Sequence, residues 1–247
     1  MIPKKLHYCW FGNHPKPKSF QRCLESWEQY CPDFEIVEWN ETNAPNKNQS
    51  FYKNALRKKQ YAFVSDSVRV AVLYEQGGVY LDTDMLLLQT LDDLLNCHLF
   101  IGEEVHERVN FALFGAIPQH RFLKEMKHFY DTTVFNPFST PVITHTFAEL
   151  VQKNTLQPNE IIFPPEVFYA LPYEKKDKPL EDYITPDSIA VHLWEHSWKA
   201  NQQETVGSLL KKLNIVFVDT LFYNYPTWYF KRYSKEFGRK LYHKLFK

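Results

Sequence analysis

The sequence predicts an α/β fold in which parallel strands alternate with helices. Three features support this prediction: a strand, helix and strand in the first 40 residues, a longer helix ended by two glycines, and a short apolar strand that ends in two carboxylates. A strand, helix and strand of these lengths fit a parallel crossover unit. At 247 residues the chain can bury a substantial core in one large domain.

The first unit covers the segment up to residue 39. Lys5–Phe11 is aromatic and alternates loosely between polar and apolar residues, as strands do. Apolar positions at helical spacing predict a helix over Pro17–Tyr30, with Ser19 as its N-cap. Pro32 ends this helix, and Phe34–Trp39 is a second strand candidate.

The next segment contains the helix, the glycine pair and the short strand around which the rest of the predicted fold is organised. Phe51–Lys59 predicts a short basic helix, and Ser65 is the predicted N-cap of a stronger one. Gly77–Gly78 ends that helix. Val79–Leu81 is a short apolar strand, and Met85–Leu88 continues the apolar run beyond it.

The remaining chain predicts further alternation of strands and helices. Between residues 158 and 186, six prolines predict an irregular excursion over the surface. We expect a single domain over residues 1–222 and a distinct tail over residues 223–247. Further strands are predicted at Leu99–Glu103, Phe111–Ile117, Ile189–Trp194 and Ile215–Val218, and helices at His120–Tyr130, Val142–Gln152 and Thr205–Leu213.

Composition narrows the classes of function. The 29 basic and 29 acidic residues cancel, so nucleic acid is not expected as a partner. The four cysteines show no C-x-x-C spacing, which favours a reduced compartment over a zinc or dithiol site. The sequence shows no segment with the pattern of a signal peptide or a membrane span, so we expect a cytoplasmic protein.

The tail is strongly basic and aromatic. From residue 231 onward seven Lys or Arg residues face a single acid, Glu236, and apolar residues recur every three or four positions. This pattern is typical of an amphipathic helix at a membrane surface, so residues 229–247 are expected to contact anionic lipid at the inner face of the cell membrane. An ordinary C-terminal helix packed on the domain remains the alternative.

Asp82-Thr83-Asp84 is the candidate centre of the chemistry. Side chains alternate along a strand, so both carboxylates can share a ligand only if the strand ends there and the chain turns. Two acids at the carboxyl edge of a sheet are best neutralised by a divalent cation that bridges phosphate oxygens, as in a nucleoside diphosphate. Asp66 and Arg69, three residues apart on the preceding helix, would add a hydroxyl acceptor and a phosphate partner. Solvated turn acids and a plain cap with a local ion pair are the alternatives.

Three segments carry a resemblance to a known family: Ile2–Gly12, Ala62–Arg69 and Gly77–Asp84. They resemble the DXD-containing glycosyltransferases of family 32, which include initiation-specific mannosyltransferases and capsular polysaccharide transferases, with the clostridial glucosylating toxins more distant. The resemblance implies a GT-A, Rossmann-like fold with a mixed, mainly parallel central sheet and helices on both faces. It also implies a nucleotide-sugar donor, Mn²⁺ or Mg²⁺, and transfer with retention of anomeric configuration.

The resemblance assigns roles by position. Asp82, Asp84 and Arg69 are the expected catalytic residues. Asp82 and Asp84 would bind the metal ion together with His192 or His196. The expected donor-binding residues are Cys9, Trp10, Asn40, Ser65, Asp66, Arg69, Tyr80, Asp82, Ser197 and Trp198, with Trp10 stacking on the base and Trp198 closing over the diphosphate. His192 as a buried core histidine is the alternative to its role as a ligand.

The predicted function is transfer of a sugar from a nucleotide sugar, with a UDP-sugar as the default, to a saccharide or lipid-linked acceptor in bacterial surface polysaccharide synthesis, capsular or lipopolysaccharide. Two alternatives remain at this level. One is a toxin-like enzyme that glycosylates a protein, and the other is a protein that binds a nucleotide sugar without turnover.

Overall fold

The computed structural model describes residues 1–135, 141–195, 205–222 and 227–246. The chain divides into two compact units. The first comprises Met1–Phe135 and Val142–Ser197, and the second comprises residues 136–141 and 198–247. The predicted division into a domain over residues 1–222 and a tail over residues 223–247 stays a prediction.

The first unit is built on a six-stranded sheet in the order β2-β1-β3-β6-β5-β7. The pairs β1–β2, β1–β3 and β5–β7 are parallel, and β3–β6 and β5–β6 are antiparallel. This arrangement confirms the expected α/β fold with a mixed, mainly parallel sheet. A separate antiparallel pair joins β4 to β8. The strands are β1 Lys5–Cys9, β2 Glu35–Trp39, β3 Gly78–Leu81, β4 Met85–Leu87, β5 Leu99–Val105, β6 Arg108–Ala116, β7 Glu160–Phe163 and β8 Ala190–His192.

Helices connect these strands, and two more form the second unit. Within the described ranges, no helix is both long enough and apolar enough to cross a lipid bilayer. The helices are α1 Lys18–Tyr30, α2 Ser50–Arg57, α3 Tyr61–Gln76, α4 Arg121–Thr132, α5 Ile143–Gln152, α6 Pro165–Phe168, α7 Val206–Phe222 and α8 Thr227–Phe246, with 3₁₀ turns at Asp92–Asn96, Tyr173–Lys175 and Leu180–Asp182.

Helix α3 begins earlier than predicted. Its first residue is Tyr61, and Ser65 is a buried residue inside the helix and not its N-cap. All ten residues from Val64 to Leu73 are buried. The helix is therefore enclosed on all sides, and tertiary packing overrides the local capping signal on which the prediction was based.

The double glycine makes the tight connection from α3 to β3. Gly77 has φ +65°, and a Cβ atom there would lie 2.6 Å from Cδ of Pro118. Its carbonyl oxygen lies 2.9 Å from Nε2 of the buried His7 on β1. Burial lowers the pKa of His7 to about 4, so a neutral ring holds this turn against the first strand.

Two predictions in the later chain are wrong. Ile215–Val218 lies inside α7, a helix that contacts α8, and not in a strand. Strand propensity depends on context, and here the helix continues through these residues. The proline-rich segment is not only a surface excursion. It adds β7 to the edge of the main sheet and buries Phe168 and Tyr169 completely.

The parallel strands bring three predicted site residues to one edge of the sheet. β1, β2 and β3 run in the same direction and end at Cys9, Trp39 and Leu81. The residues that follow are Trp10, Asn40 and Asp82. Open α/β sheets bind ligands outside the carboxyl ends of their strands, so the fold places the candidate site here.

A buried ionic cluster attaches β7 to α4. The Glu160 carboxylate accepts hydrogen bonds from Nε of Arg121 at 2.9 Å and from the backbone N–H of Gln157 at 2.8 Å, and lies 2.9 Å from Nε2 of His120. Burial alone would raise the pKa of Glu160, but these partners lower it to about 2. A carboxyl whose pKa is lowered on folding stabilises the protein above its usual pKa of 4.5, and this contribution is lost as the pH falls toward 2.

We expect the free energy of unfolding to fall more steeply between pH 5 and pH 3 in the wild type than in Glu160→Gln. The Glu160 contribution is on the order of 3 kcal/mol at most. Urea unfolding at several pH values measures it. Glu149→Gln, an exposed acid on α5, should keep the wild-type slope. Equal slopes for wild type and Glu160→Gln would show that the cluster does not stabilise the fold.

Candidate active site

The two acids of the Asp-x-Asp sequence lie on a turn directly after β3. The N–H of Asp82 donates to the Ala112 carbonyl oxygen at 2.7 Å, which continues the pairing with β6. The N–H of Met85 then donates to the Asp82 carbonyl oxygen at 3.0 Å and closes the turn. Strand β3 therefore ends just before Asp82, as a shared ligand for both acids demands. The turn that follows allows both carboxylates to face the same point.

Strand β8 brings His192 to this turn. His192 pairs with Met85, and the N–H of Leu193 donates to the Asp84 carbonyl oxygen at 2.9 Å. Nε2 of His192 lies 3.2 Å from Oδ2 of Asp84. Ligand atoms of Asp82, Asp84 and His192 all lie within 4.8 Å of one another.

This set of donors fits a divalent cation. Neighbouring ligands of an octahedral ion with bonds of about 2.1 Å are about 3 Å apart, close to the separation of Asp84 and His192. Two carboxylates and one imidazole suit Mn²⁺ or a related ion. Nδ1 of His192 is buried and has no hydrogen-bond partner among the described residues, so ring packing and not a second hydrogen bond orients the imidazole.

The electrostatics of the cluster show an excess of negative charge. Burial alone would lower the pKa of His192, but Asp84 and then Asp82 raise it above the usual value. The pKa of Asp82 is raised by burial and by Asp84, against the effect of Arg69. Neighbouring acids that share one site in this way are stabilised by a bound cation.

Arg69 is the central cation of the site. Its Nη2 atom lies 3.2 Å from Oδ1 of Asp66 and 3.1 Å from Oδ1 of Asp82, while Nη1 donates to the Phe111 carbonyl oxygen at 2.8 Å. The guanidinium carbon sits 4.3 Å from the ring centroid of Tyr80, whose hydroxyl donates to Asp82 at 3.0 Å. Arg69 thus joins α3 to β3 and β6 and fixes the orientation of the first acid.

Asp66 also connects the site to α5. Its carboxylate accepts the backbone N–H of Ile143, the first residue of α5. Burial and the nearby Asp82 raise the pKa of Asp66 to about 7, although Arg69 and the Ile143 N–H oppose this shift. An acid at a helix N-terminus is favourable, so Asp66 anchors the start of α5 beside Arg69.

The predicted base-binding residues lie at the edge of the sheet but are engaged with neighbours. Cys9 is buried, and burial raises the pKa of its thiol to about 12. The Trp10 ring is stacked on Phe20, and its indole N–H donates to the His14 carbonyl oxygen at 2.8 Å. Oδ1 of Asn40 accepts the N–H of Thr42 at 2.9 Å and closes the turn after β2.

Three predicted residues lie outside the described part of the chain: His196, Ser197 and Trp198. Their roles as metal ligand and closing loop therefore stay predictions. Ser65 is buried next to Asp66 on α3, and its role also stays a prediction.

The sequence did not indicate the residues that support this site from the second half of the chain. The Tyr169 hydroxyl donates to the Asn110 carbonyl oxygen at 3.1 Å and accepts the N–H of Leu113 at 3.2 Å. The ring of Trp194 packs 4.0 Å from that of His192, centroid to centroid, and its indole N–H donates to the Leu171 carbonyl oxygen. No short-range pattern marks these residues, because their partners are distant in sequence.

A family model described as "Glycosyltransferase sugar-binding region containing DXD motif" aligns with about a third of the chain. Residues 17–101 match this DXD glycosyltransferase family. The matched segment contains Asp66, Arg69, Asp82 and Asp84, the carboxylates and the cation of the site. His192 lies beyond it.

Two curated relatives match this chain over part of their length, and both are longer than it. The chain is 26% identical to the lactosylceramide 4-alpha-galactosyltransferase of Rattus norvegicus over 175 residues, which cover 64% of this chain and 48% of the relative. It is 25% identical to the mannosyl phosphorylinositol ceramide synthase of Saccharomyces cerevisiae over 151 residues, which cover 57% of this chain and 39% of the relative. The aligned part therefore spans half or less of the length of these curated relatives.

Solved structures also show a partial likeness. The crystal structure of a glycosyltransferase involved in glycosylation of the major capsid of PBCV-1 superposes with a TM-score of 0.47 at 14% sequence identity. The superposition covers 78% of this chain and 95% of that one.

We expect Arg69→Met to destabilise the protein by about 3–5 kcal/mol, because it leaves the buried Asp66 and Asp82 carboxylates without their cation. The urea unfolding midpoint measures the change. Arg57→Met, on the exposed side of α2, is the matched control and should shift stability by less than about 0.5 kcal/mol. If the two variants unfold at the same urea concentration, Arg69 does not hold the site together.

Proposed function

We propose that this protein is a metal-dependent, retaining glycosyltransferase that uses a nucleotide-sugar donor. One observation carries the proposal: Asp82, Asp84 and His192 converge within 4.8 Å at the carboxyl edge of the sheet. Two of these residues lie in the segment that matches the DXD glycosyltransferase family. His192 adds support because it comes from a distant strand that the match does not include.

In this proposal, some residues would bind the metal ion and others would orient those ligands. Asp82, Asp84 and His192 would hold Mn²⁺ or Mg²⁺, which when bound offsets the negative charge on the departing diphosphate. Tyr80 and Arg69 orient the Asp82 carboxylate through hydrogen bonds that exist in the free protein. A preoriented ligand needs no rearrangement during the reaction, which is the usual source of electrostatic catalysis.

Cys9, Trp10, Asn40, Ser65 and Asp66 would surround the nucleoside and the sugar. In this proposal Trp10 provides an aromatic face for the base, and Asp66 accepts sugar or ribose hydroxyls. The loop with His196, Ser197 and Trp198 would exclude water from the donor, which protects it from hydrolysis. A UDP-sugar is the proposed donor.

The acceptor is proposed to be a saccharide, in particular one linked to a lipid. Both relatives described above are named for ceramide-linked substrates or products, one a galactosyltransferase and the other a mannosyl phosphorylinositol ceramide synthase. Both names include ceramide, but one names a galactosyl group and the other a mannosyl group. The location at the inner face of the cell membrane and the role in synthesis of a bacterial surface polysaccharide are proposed from the sequence resemblance alone.

A thermal-shift panel of nucleotide sugars with and without Mn²⁺ tests the donor site. We expect one donor to raise the melting temperature only when Mn²⁺ is present, because the cation joins the diphosphate to the two acids. A donor at 100 times its Kd stabilises the protein by about 2.7 kcal/mol. This experiment identifies both the base and the sugar.

Asp84→Ala is the matching variant. It should keep the wild-type far-UV spectrum, lose the shift that requires Mn²⁺, and reduce donor turnover by at least about 100-fold. Asp93→Ala removes an exposed acid that directly precedes Leu94 and should behave as the wild type. Full donor turnover by Asp84→Ala, or metal-independent turnover by the wild type, would contradict the proposal.

A further inference from the structure

Helix α7 has apolar side chains on its exposed side. Four of them are between 39% and 57% exposed: Val206, Leu210, Phe217 and Leu221. At 100° per residue these positions fall within an arc of about 60° on the helix surface. Leu209, by contrast, is 3% exposed and provides the buried contact of this turn. The exposed residues thus form one continuous stripe, which we call the α7 stripe.

The stripe exists only because α7 is one continuous helix. A strand at Ile215–Val218, as the sequence suggested, would separate Val206 and Leu210 from Phe217 and Leu221. The helix runs without interruption from Val206 to Phe222 and spaces the four residues at intervals of four, seven and four. Such spacing is typical of a helix side that is covered by an apolar phase.

Helix α8 supplies a dense positive charge next to it. Its 20 residues include six Lys or Arg and one acid, Glu236. Lys231, Lys235 and Arg239 are exposed, and Tyr242 is 60% exposed. On a helix these four positions lie within an arc of about 80°.

The two helices pack together within the second unit. The Phe217 and Phe230 rings lie 6.4 Å apart, centroid to centroid, so one residue of the α7 stripe contacts α8. A surface that combines exposed aliphatic and aromatic residues with nearby cations matches the interfacial region of an anionic bilayer. There the apolar residues enter the boundary of the acyl chains and the cations contact the phosphates.

We propose that α7 and α8 together form a docking surface for anionic phospholipid, in which the α7 stripe supplies the apolar contact and α8 the electrostatic one. The charge argues against a second copy as the occupant, because a twofold interface would bring the same cations together. The exposed stripe argues against nucleic acid, which binds mainly through phosphate contacts. The inference concerns attachment and does not depend on which sugar is transferred.

Co-sedimentation of the full chain with vesicles tests the surface. We expect binding to vesicles of phosphatidylcholine with about 30% phosphatidylglycerol, weak binding to phosphatidylcholine alone, and weaker binding as salt is raised. The triple variant Leu210→Gln, Phe217→Gln and Leu221→Gln should reduce the partition coefficient at least about tenfold. Lys231→Gln, Lys235→Gln and Arg239→Gln together should remove the preference for anionic vesicles.

The first unit offers a matched control. Val134→Gln, Leu156→Gln and Ile161→Gln replace three exposed apolar residues and should leave vesicle binding unchanged. If the α7 triple variant has a lower melting temperature than the wild type, Phe217→Gln alone is used and should still weaken binding measurably.

Several results would overturn the inference. These are no binding of the wild type to either vesicle, equal binding by the α7 variant and the wild type, and a wild-type dimer in light scattering that the α7 variant dissociates. Turnover with a water-soluble acceptor is measured separately and should be unchanged in the α7 variant. Loss of vesicle binding with retained turnover therefore separates this inference from the proposed function.

Discussion

The buried guanidinium of Arg69 is the contact on which the rest of the site depends. It lies between two carboxylates, Asp66 and Asp82, under the ring of Tyr80, in a place where an unpaired charge would be costly. Burial opposes its charged form, but the acids hold the pKa of Arg69 above its usual value. Asp66 lies on the same helix as Arg69, whereas Asp82 directly follows β3, so one cation sets the distance between α3 and the end of β3.

The second constraint comes from the small β4–β8 sheet. The turn at Asp82 directs the chain away from the main sheet, and β8 returns from the second half of the chain to pair with β4. That pairing places His192 beside Asp84. A local acidic turn thereby becomes a three-sided cluster that fits a cation, and the two halves of the first unit meet at the proposed reaction centre.

The sequence predicted the early part of the fold well because its signals were local. Helical spacing in residues 17–30, the glycine pair at 77 and 78 and the apolar lead into Asp82 all involve neighbours within a few residues. Predictions were wrong where distant packing decided the outcome. Ser65 looked like a cap but is buried inside α3. Ile215–Val218 had strand propensity but lies within the continuous helix α7, which contacts α8.

The sequence by itself determined which residues carry charge and where the chain turns: Asp66, Arg69, Asp82 and Asp84 were identifiable from spacing and resemblance, and His192 was one of two candidate histidine ligands. Only the tertiary structure decided what they face. It placed His192 on Asp84, set the Asp66 carboxylate on the N–H of Ile143, and brought Tyr169 to the backbone of β6. These contacts join residues that are far apart in the chain. Loop closure and packing establish such contacts, so no local sequence pattern predicts them.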